Sequence, residues 1–419
     1  MTNAVLFRNA HLLDPQRAEL LEDHHILVED GVVREVSDKP IHSPSARAID
    51  VKGRTVMPGL IDLHVHVIAV ELNLARQVHM PNVLVTLRSV PILRGMLRRG
   101  FTTVRDAGGA GFAFKQAVDS GLAQGPRLFV SGRALSQTGG HGDMRARSDY
   151  MGNGDGVCAT CVRVGALARV ADGVDAVRKA VREELQMGAD QIKIMASGGV
   201  ASPTDPVGAF GYSEDEIRAI VAEAQGRDTY VMAHAYTAAA IARAVRCGVR
   251  TIEHGNLVDA PTATLMAQLG AYVVPTLVTY DALATEGESL GLPAESVAKV
   301  ASVREAGLRS LEIYKAAGVK MGYGSDLLGE SQRLQSDEFR LRAEVLSPAE
   351  AIASATTVGA EILGMSDRLG RLVPGALADL LVVDGNPLRD IGCLLGQGER
   401  IPLVMKEGVV QFDELATLH

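Results

Sequence analysis

The chain has 419 residues and a formal net charge of −8, with acidic and basic residues mixed along its length. This length is enough for one large domain, or for a large domain with a smaller companion. No apolar run approaches the length of a membrane span, and no basic stripe is present for a nucleic acid. The first residues, MTNAVLFRNAHLLDP, lack the basic segment and apolar core of a signal peptide. We therefore expect a cytoplasmic protein without membrane or nucleic-acid partners.

Both ends of the chain are predicted to be β-rich. Near the start, HILVEDGVVREVSD alternates apolar and polar residues around an Asp-Gly turn, which is a strong hairpin signal. Near the end, ADLLVVDGNPL and IPLVMKEGVVQF show the same pattern around their own glycines. We predict that residues 1–57 and 366–419 pair into one small β-sandwich domain.

The middle of the chain, residues 58–365, alternates short β-rich runs with amphipathic helical patterns. Such alternation is typical of βαβ units and a parallel sheet. Eight runs are predicted to be strands: LIDLHVHV, TTVRDA, RLFVSG, QIKIMAS, YVMAHA, RTIEHG, AYVVPTL and VKMGYGSD. Eight β/α units predict an α/β fold, a TIM-like (β/α)8 barrel beside the small β domain.

One predicted connection is unusually long, from Ser131 to about Gly173, and it is rich in glycine and charge. A connection of this length in a compact domain indicates a functional or disordered loop. This one follows the carboxyl end of a barrel strand, where barrel enzymes build their sites. It contains a single C-x-x-C pair, Cys158 and Cys161. Without a second pair or a nearby histidine to complete a zinc site, we interpret the pair as a loop feature.

Four histidines fall at or near the ends of predicted barrel strands, namely His64, His66, His234 and His254. Any one of them alone would be interpreted as a hydrogen-bonded core residue. Four at the same end of one barrel indicate a shared role, because buried imidazoles need partners. His64 and His66 lie two apart, on one face of a strand, and can bind one metal ion. His234 and His254 come from separate strands and can bind a second.

Two more ionisable residues occupy equivalent places. Lys193 lies between two isoleucines in QIKIMAS, where a charged ammonium is expensive to bury. It could pair with a carboxylate, form a Schiff base, or react with CO₂ to become a carbamate. A carbamate would offer two oxygens to bridge two ions, and Asp326, which ends the last strand in GYGSD, would bind one of them. Imidazole nitrogen with carboxylate-like oxygen suits zinc, with manganese, cobalt or iron as alternatives.

The order His-x-His, Lys, His, His, Asp on successive predicted strands resembles the amidohydrolase superfamily in its binuclear form. The motifs that carry the resemblance are PGLIDLHVHV, GADQIKIMASGG, AHAY, TIEHG, GSD and LGRLVPGALADLLVVDGNP. The resemblance covers essentially the whole chain. It implies two divalent ions, with Zn²⁺ favoured, and a Lys193 carboxylated on its side-chain nitrogen as the bridging ligand. The ligands it implies are His64, His66, Lys193, His234, His254 and Asp326.

Within the superfamily, SGRALSQTGGHGD, KIMASGGV and TIEHGN resemble the imidazolonepropionase-related branch and its bacterial Xaa-Pro dipeptidases, the prolidases. This resemblance implies a metal-dependent hydrolase that cleaves the peptide bond before a C-terminal residue, with proline favoured. The nucleophile would be a hydroxide that bridges the two ions. Similar family members often form large homo-oligomers, so we expect a homo-oligomer here.

The resemblance also implies roles for residues around the metals. Asp326 is expected to act first as base and then as acid, because the departing amine needs a proton. His141 of GGHGD is expected to hydrogen-bond the substrate carbonyl or the developing oxyanion. Tyr236, two residues after His234, is expected to bind the α-carboxylate of the substrate. The alternatives are a solvent-facing loop histidine and a structural tyrosine at a strand-to-helix turn.

We predict that three ionisable residues near the predicted ligands stabilise the structure around them and do not bind metal. We interpret Arg105 and Asp106 of TTVRDAGG as a buried structural pair. Asp62 is expected to orient a histidine ligand or a neighbouring helix.

Several other functions are compatible with the same residues. A dipeptidase or carboxypeptidase could release a different C-terminal residue, and an amidohydrolase could act on N-acyl amino acids such as ochratoxin or on cyclic amides. A mononuclear deaminase of the superfamily would not need Lys193. A non-catalytic, metal-binding assembly scaffold would show gaps in the ligand set, and this sequence shows none.

Overall fold

The computed structural model describes residues 4–145, 164–200, 202, 205–290 and 294–415. Within these ranges, no helix is both long and apolar enough to cross a membrane. Cys158 and Cys161 lie outside the described residues, so the interpretation of this pair stays a prediction.

The strands fall into an N-terminal group, a barrel group and a C-terminal group. The N-terminal group is β1 (Val5–Asp14), β2 (Glu19–Glu29), β3 (Val32–Ser37), β4 (Arg47–Asp50) and β5 (Thr55–Pro58). The barrel group is β6 (Leu60–Val65), β7 (Phe101–Asp106), β8 (Arg127–Phe129), β9 (Ala134–Ser136), β10 (Ala168–Val170), β11 (Ile192–Met195), β12 (Val231–Thr237), β13 (Thr251–Leu257) and β14 (Tyr272–Val274). The C-terminal group is β15 (Leu380–Val383), β16 (Leu403–Lys406) and β17 (Val409–Asp413).

Both ends of the chain contribute to one mixed, eight-stranded sheet, as predicted for the small β domain. Its order is β17-β16-β15-β5-β1-β2-β3, with β4 paired to β1. Side chains alternate along β15, so that Leu380 and Val382 pack into the core of this sheet. Leu381 and Val383 lie on the other face, in the same apolar cluster as Phe101 of the barrel. The small domain therefore packs directly on the barrel, and the exact division at residues 57/58 and 365/366 stays a prediction.

The predicted barrel is present. Strands β6, β7 and β8 form one parallel sheet, and β10-β9-β11-β12-β13-β14 form another. Seven of the eight predicted strand runs contain strands, and the eighth, VKMGYGSD, closes the ring by isolated contacts. Met321 makes a parallel bridge with Val273, and the backbone N–H of Leu63 donates to the carbonyl of Tyr323 at 2.8 Å.

The helices cover the outside of the barrel strands. Val177 and Val181 share an apolar cluster with Ile194 of β11 and Ala233 of β12. The α-helices are α1 (Leu74–Gln77), α2 (Asn82–Arg98), α3 (Phe112–Asp119), α4 (Val174–Gln186), α5 (Glu214–Gln225), α6 (Ala238–Arg246), α7 (Ala260–Gln268), α8 (Leu277–Glu286), α9 (Ala294–Ala317), α10 (Glu338–Arg342), α11 (Pro348–Ser354) and α12 (Thr357–Ile362). Two 3₁₀ helices span Gly329–Asp337 and Ile391–Leu394.

Strand β6 shows how the barrel separates apolar from ionisable side chains. Ile61 and Leu63 pack outward against Ile362 of α12. His64, and His66 just beyond the strand, point the other way, into the barrel mouth. All residues of β6 are buried, because a parallel barrel strand is covered on both faces. The alternation in the sequence therefore delivers the two imidazoles to the interior.

Candidate active site

All eight predicted site residues line one cavity of about 240 Å³ at the mouth of the barrel. The walls are otherwise largely apolar and come from several strand ends and loops, which is the usual construction of a barrel active site. The eight residues are His64, His66, His141, Lys193, His234, Tyr236, His254 and Asp326.

The first group in the cavity consists of His64, His66 and Asp326. One donor atom from each lies within 4.8 Å of the others, a spacing that could hold a metal ion. The Nε2 atoms of His64 and His66 lie 3.4 Å and 3.2 Å from Asp326 Oδ1. Lys193 Nζ lies 3.5 Å from His64 Nε2, so the lysine side chain reaches the same group.

The second group consists of His234 and His254, whose ring centroids are 4.6 Å apart. The His254 ring is also 4.9 Å from that of His64, so the two groups adjoin. His141 stacks on His234 with centroids 4.2 Å apart, and Tyr236 stacks on His254 at 5.3 Å. The structure thus brings the long-loop histidine and the strand-end tyrosine to the predicted ligands.

Backbone carbonyls determine which imidazole nitrogen faces the cavity. His66 Nδ1 is 2.9 Å from the carbonyl oxygen of Gly108, which can only accept a hydrogen bond. Nδ1 of His66 therefore carries a proton, and Nε2 is the nitrogen that faces Asp326 and the cavity. In His234 the order is reversed, because Nε2 donates to Gly198 O at 3.1 Å and leaves Nδ1 available. Neutral imidazoles with one free lone pair are the form that binds metals.

Burial favours the uncharged form of most of these groups. It lowers the pKa of His64 and of His234 well below the ordinary histidine value, and lowers the pKa of His254 to about 3. Burial also lowers the pKa of Lys193 to about 8, although the carboxylate of Glu253 opposes the shift. A neutral amine is the form of lysine that reacts with CO₂.

His66 and Asp326 form the charged pair of the cavity. Burial would lower the pKa of His66, but the hydrogen bond and the negative charge of Asp326 outweigh burial and raise it. Burial would likewise raise the pKa of Asp326, but the hydrogen bond from His66 and the nearby His254 and Lys193 lower it. Asp326 is therefore a carboxylate at neutral pH.

Comparison with known proteins identifies the class to which this site belongs. The profile of the Amidohydrolase family matches residues 55–410. This chain belongs to the amidohydrolase family. The fold and the superfamily expected from the motifs are thereby confirmed.

Three relatives show how close the similarity is. A solved amidohydrolase structure is 76% identical, with a TM-score of 0.97, over 99% of this chain and 100% of that one. A solved prolidase complexed with N-methylphosphonate-L-proline is 60% identical, with a TM-score of 0.96, over 98% of this chain and 100% of that one. The ochratoxinase of Aspergillus niger is 31% identical, in an alignment that covers 91% of this chain and 82% of the relative. The protein is accordingly a metal-dependent hydrolase that acts on carbon–nitrogen bonds.

The donor set of this amidohydrolase fits divalent metal ions. Four buried imidazoles, the Asp326 carboxylate and Lys193 face one cavity, and nitrogen with oxygen donors suits zinc. The hydrogen bonds that fix His66 and His234 direct the other nitrogen of each ring away from the backbone. The residues present therefore match the metal dependence of the family.

Glu253 holds the ring of His64, and the sequence patterns did not single it out. Its Oε2 atom accepts a hydrogen bond from His64 Nδ1 at 2.7 Å, which leaves His64 Nε2 facing the cavity. Its other contacts are to the Arg105 guanidinium, at 3.0 Å and 3.1 Å, and to the Thr251 hydroxyl at 2.6 Å. Glu253 and Arg105 are completely buried. A carboxylate behind a histidine fixes the tautomer and orientation of that ring.

The predicted Arg105–Asp106 pair is wrong. Both residues are buried, but Arg105 pairs with Glu253 instead. Asp106 accepts hydrogen bonds from the backbone N–H groups of Val67, Gly108 and Ala110. It therefore anchors the backbone that follows His66 and the loop that follows β7.

Asp62 supports the site through the backbone and not through an imidazole. It accepts hydrogen bonds from the N–H groups of His64 and Ser325, from the Ser325 hydroxyl at 2.6 Å and from Gln335. These contacts fix the residue immediately before Asp326. Asp326 itself has φ of 51°, an unfavourable left-handed backbone that persists only where the surroundings hold it.

Proposed function

We propose that this amidohydrolase is a binuclear metallo-dipeptidase that hydrolyses Xaa-Pro dipeptides. The observation that carries the proposal is the 60% identity, over nearly the whole chain, to a prolidase complexed with N-methylphosphonate-L-proline. In that compound a tetrahedral phosphorus stands where the carbonyl carbon of an Xaa-Pro dipeptide is attacked. The same geometry would suit the cavity described above, which has room for a small dipeptide.

The metal ligands in this proposal are the six residues that share the cavity. The two groups adjoin at His64 and His254, and Lys193 reaches the first group through His64. A carboxylated Lys193 would add two oxygen donors between the groups, and Zn²⁺ is the ion that the donor set favours. The proposed ligands are His64, His66, Lys193, His234, His254 and Asp326.

The protein side chains would then perform binding and proton transfer. Divalent ions held there would lower the pKa of water and so supply hydroxide near neutral pH. Asp326, a carboxylate that faces the cavity, would take a proton from the attacking water and return it to the departing nitrogen. His141 would hydrogen-bond the carbonyl oxygen as charge develops on it. Tyr236, whose hydroxyl is 2.8 Å from that of Tyr280, would hydrogen-bond the α-carboxylate.

The test is a substrate panel with the zinc-reconstituted enzyme. Xaa-Pro dipeptides are compared with the reversed Pro-Xaa dipeptides, with dipeptides that end in other residues, and with cyclic amides, by assay of the released amino acid. We expect turnover of the Xaa-Pro set and loss of at least about 1000-fold in kcat in Asp326→Asn, because the proton carrier is removed. Turnover of cyclic amides alone, or of none of these compounds, would contradict the assignment.

A second candidate function is hydrolysis of N-acyl amino acids. The similarity to the ochratoxinase of Aspergillus niger over 91% of this chain favours it. The panel therefore includes N-acetyl-proline and an aromatic N-acyl-phenylalanine. A higher kcat/KM for the latter than for any Xaa-Pro dipeptide would favour the ochratoxinase-like activity over the dipeptidase.

The two-metal centre is tested separately from the substrate. Metal analysis of the reconstituted enzyme is expected to give two ions per chain, and incubation with ¹³C-labelled CO₂ is expected to give a carbamate NMR signal that Lys193→Ala lacks. One ion per chain together with an active Lys193→Ala variant would indicate the mononuclear deaminase arrangement instead. The expected homo-oligomer likewise stays a prediction, which light scattering of the purified protein can check.

A further inference from the structure

The side chain of Lys299, on α9, makes an unusual set of contacts beside the cavity. Its ammonium donates to three backbone carbonyls, those of Asp205 at 2.7 Å, Ser202 at 2.8 Å and Gly199 at 3.2 Å. All three belong to the segment after β11, here called the 198–205 loop, of which residues 198–200, 202 and 205 are described. Within the described residues, Lys299 makes no ion pair. Its three donors are instead satisfied by three neutral acceptors.

The same loop holds the imidazole of His141. Ser202 Oγ lies 2.9 Å from His141 Nδ1, and Asp205 Oδ2 lies 3.7 Å from the same atom. Asp205 Oδ2 also accepts from the backbone N–H of Gly199 at 2.9 Å, which ties the two ends of the loop together. The loop therefore supplies both polar neighbours of the Nδ1 edge of His141.

The backbone of the loop also touches the rings directly. A Cβ atom at Gly199 would lie 2.2 Å from the His141 ring, so the loop backbone and the imidazole are in close contact. Gly198 O accepts the hydrogen bond from His234 Nε2, and His234 stacks on His141. A shift of the part of the loop that contains Gly199, Ser202 and Asp205 would consequently move His141, the proposed oxyanion donor.

We propose that Lys299 is a positioning residue for His141. Three carbonyl dipoles that converge on one point repel each other unless a cation or several donors lie between them. The Lys299 ammonium supplies that charge from a helix outside the loop, and so holds the loop against the His141 ring. The proposal rests on the proposed function, in which His141 contacts the substrate carbonyl, but the placement of the loop can be measured without a substrate.

The first test is kinetic and uses two lysines of the same helix. Lys299→Met keeps the length of the side chain and removes its donors, whereas Lys315→Met removes an exposed lysine of α9 that pairs with Glu350. For Lys299→Met we expect kcat for an Xaa-Pro dipeptide to fall about tenfold with a smaller change in KM, because a displaced catalytic group costs rate more than binding. Lys315→Met should match the native enzyme. Equal kcat in all three proteins would overturn the proposal.

The second test asks whether the effect passes through His141. In a His141→Ala background, adding Lys299→Met should lower kcat by less than twofold, because the group it positions is gone. A full further tenfold loss would show that Lys299 acts in some other way. Lys299→Arg, which keeps the charge and several donors, is expected to recover most of the native rate, and it also serves if Lys299→Met fails to fold.

The third test does not depend on substrate identity. Hydrogen exchange of the peptide that spans residues 198–205 is expected to be at least tenfold faster in Lys299→Met than in the native protein, with unchanged exchange in β6 and β13. Unaltered exchange in the 198–205 loop would overturn the proposal even if Xaa-Pro hydrolysis is confirmed. Faster exchange in an enzyme that cleaves no dipeptide would support the loop's placement and reject the proposed function alone.

Discussion

The two sides of the cavity are supported in different ways. On one side, the neutral imidazole of His64 is held by Glu253, and Glu253 is held by Arg105 in a fully buried ion pair. On the other side, His141 is held by a serine hydroxyl, a glycine backbone and a loop closed by a partly buried lysine. The first support consists of side chains on barrel strands, and the second consists mainly of loop backbone. Substitutions that leave an unpaired buried charge should therefore disturb the His64 side most. Substitutions that displace the loop backbone slightly should disturb the His141 side most.

The largest expected effect comes from removing the buried cation of the His64 side. Arg105→Met leaves the Glu253 carboxylate buried without its cation, which typically costs about 3–5 kcal/mol of folding free energy. Urea unfolding of the metal-free native protein and of the metal-free Arg105→Met variant measures this loss of folding free energy. The double variant Arg105→Met/Glu253→Gln should recover most of the loss, because no unpaired charge remains. A double variant as unstable as the single one would contradict this account of the pair.

The same double variant should still bind zinc poorly. A glutamine at position 253 can present either its amide nitrogen or its oxygen to His64, so the tautomer is no longer fixed. We expect about a 10–100-fold loss of zinc affinity, the usual effect of losing a group that orients a ligand, measured by competition with a chelating dye. The control is Arg127→Met/Asp379→Asn, which neutralises a buried pair between the barrel and the small domain. Native zinc affinity in Arg105→Met/Glu253→Gln would show that the Glu253 carboxylate is not needed to orient His64.

On the His141 side, a single methyl group should be enough to disturb the site. In Gly199→Ala the new Cβ would lie 2.2 Å from the His141 ring, so the ring or the loop has to move. We expect kcat to fall about tenfold, because catalysis depends on ångström-scale placement. Gly208→Ala is the control, since a Cβ there meets nothing within 4 Å. Equal rates for the two variants would show that the His141 side tolerates displacement.

The smallest expected effect is that of Ser202→Ala. It removes one hydrogen-bond partner of His141 Nδ1 and leaves Asp205 beside the ring. A net contribution of about 1 kcal/mol corresponds to about a fivefold fall in kcat. Steady-state kinetics with an unchanged unfolding midpoint would support this estimate. A loss larger than that of Gly199→Ala would mean that the hydroxyl and not the loop backbone holds the imidazole.

The sequence predicted the barrel and singled out residues that share one cavity, because both depend on local patterns. The spacing of His64 and His66 put both on one face of a strand, and the structure turns that face inward, with Ile61 and Leu63 packed outward. Lys193 was recognisable because a lysine between two isoleucines on a strand is an exception to the burial rule. The motif resemblance then connected residues that are more than 100 positions apart, and the family assignment confirmed that class.

The sequence patterns did not indicate Glu253, because side-chain directions stop alternating regularly at Glu253 and His254, near the end of β13. Strict alternation puts neighbours on opposite faces of a strand, so Glu253 and His254 were not expected to face the barrel interior together. His254 has φ of 72°, and this left-handed backbone near the end of β13 is where the regular alternation ends. The argument that singled out Lys193 applies equally to an acid between Ile252 and His254, and it would have found Glu253.

By itself, the sequence determined the alternation of strands and helices, the β-rich character of the two ends and the set of ionisable residues at the strand ends, because each of these follows from residues close together in the chain. Only the tertiary structure shows which residues these ionisable side chains contact. Arg105 pairs with Glu253, Lys299 closes the loop behind His141, and Asp62 holds the backbone of Ser325. Such contacts join residues from distant elements, and their choice depends on side-chain direction and backbone strain that a linear pattern does not contain.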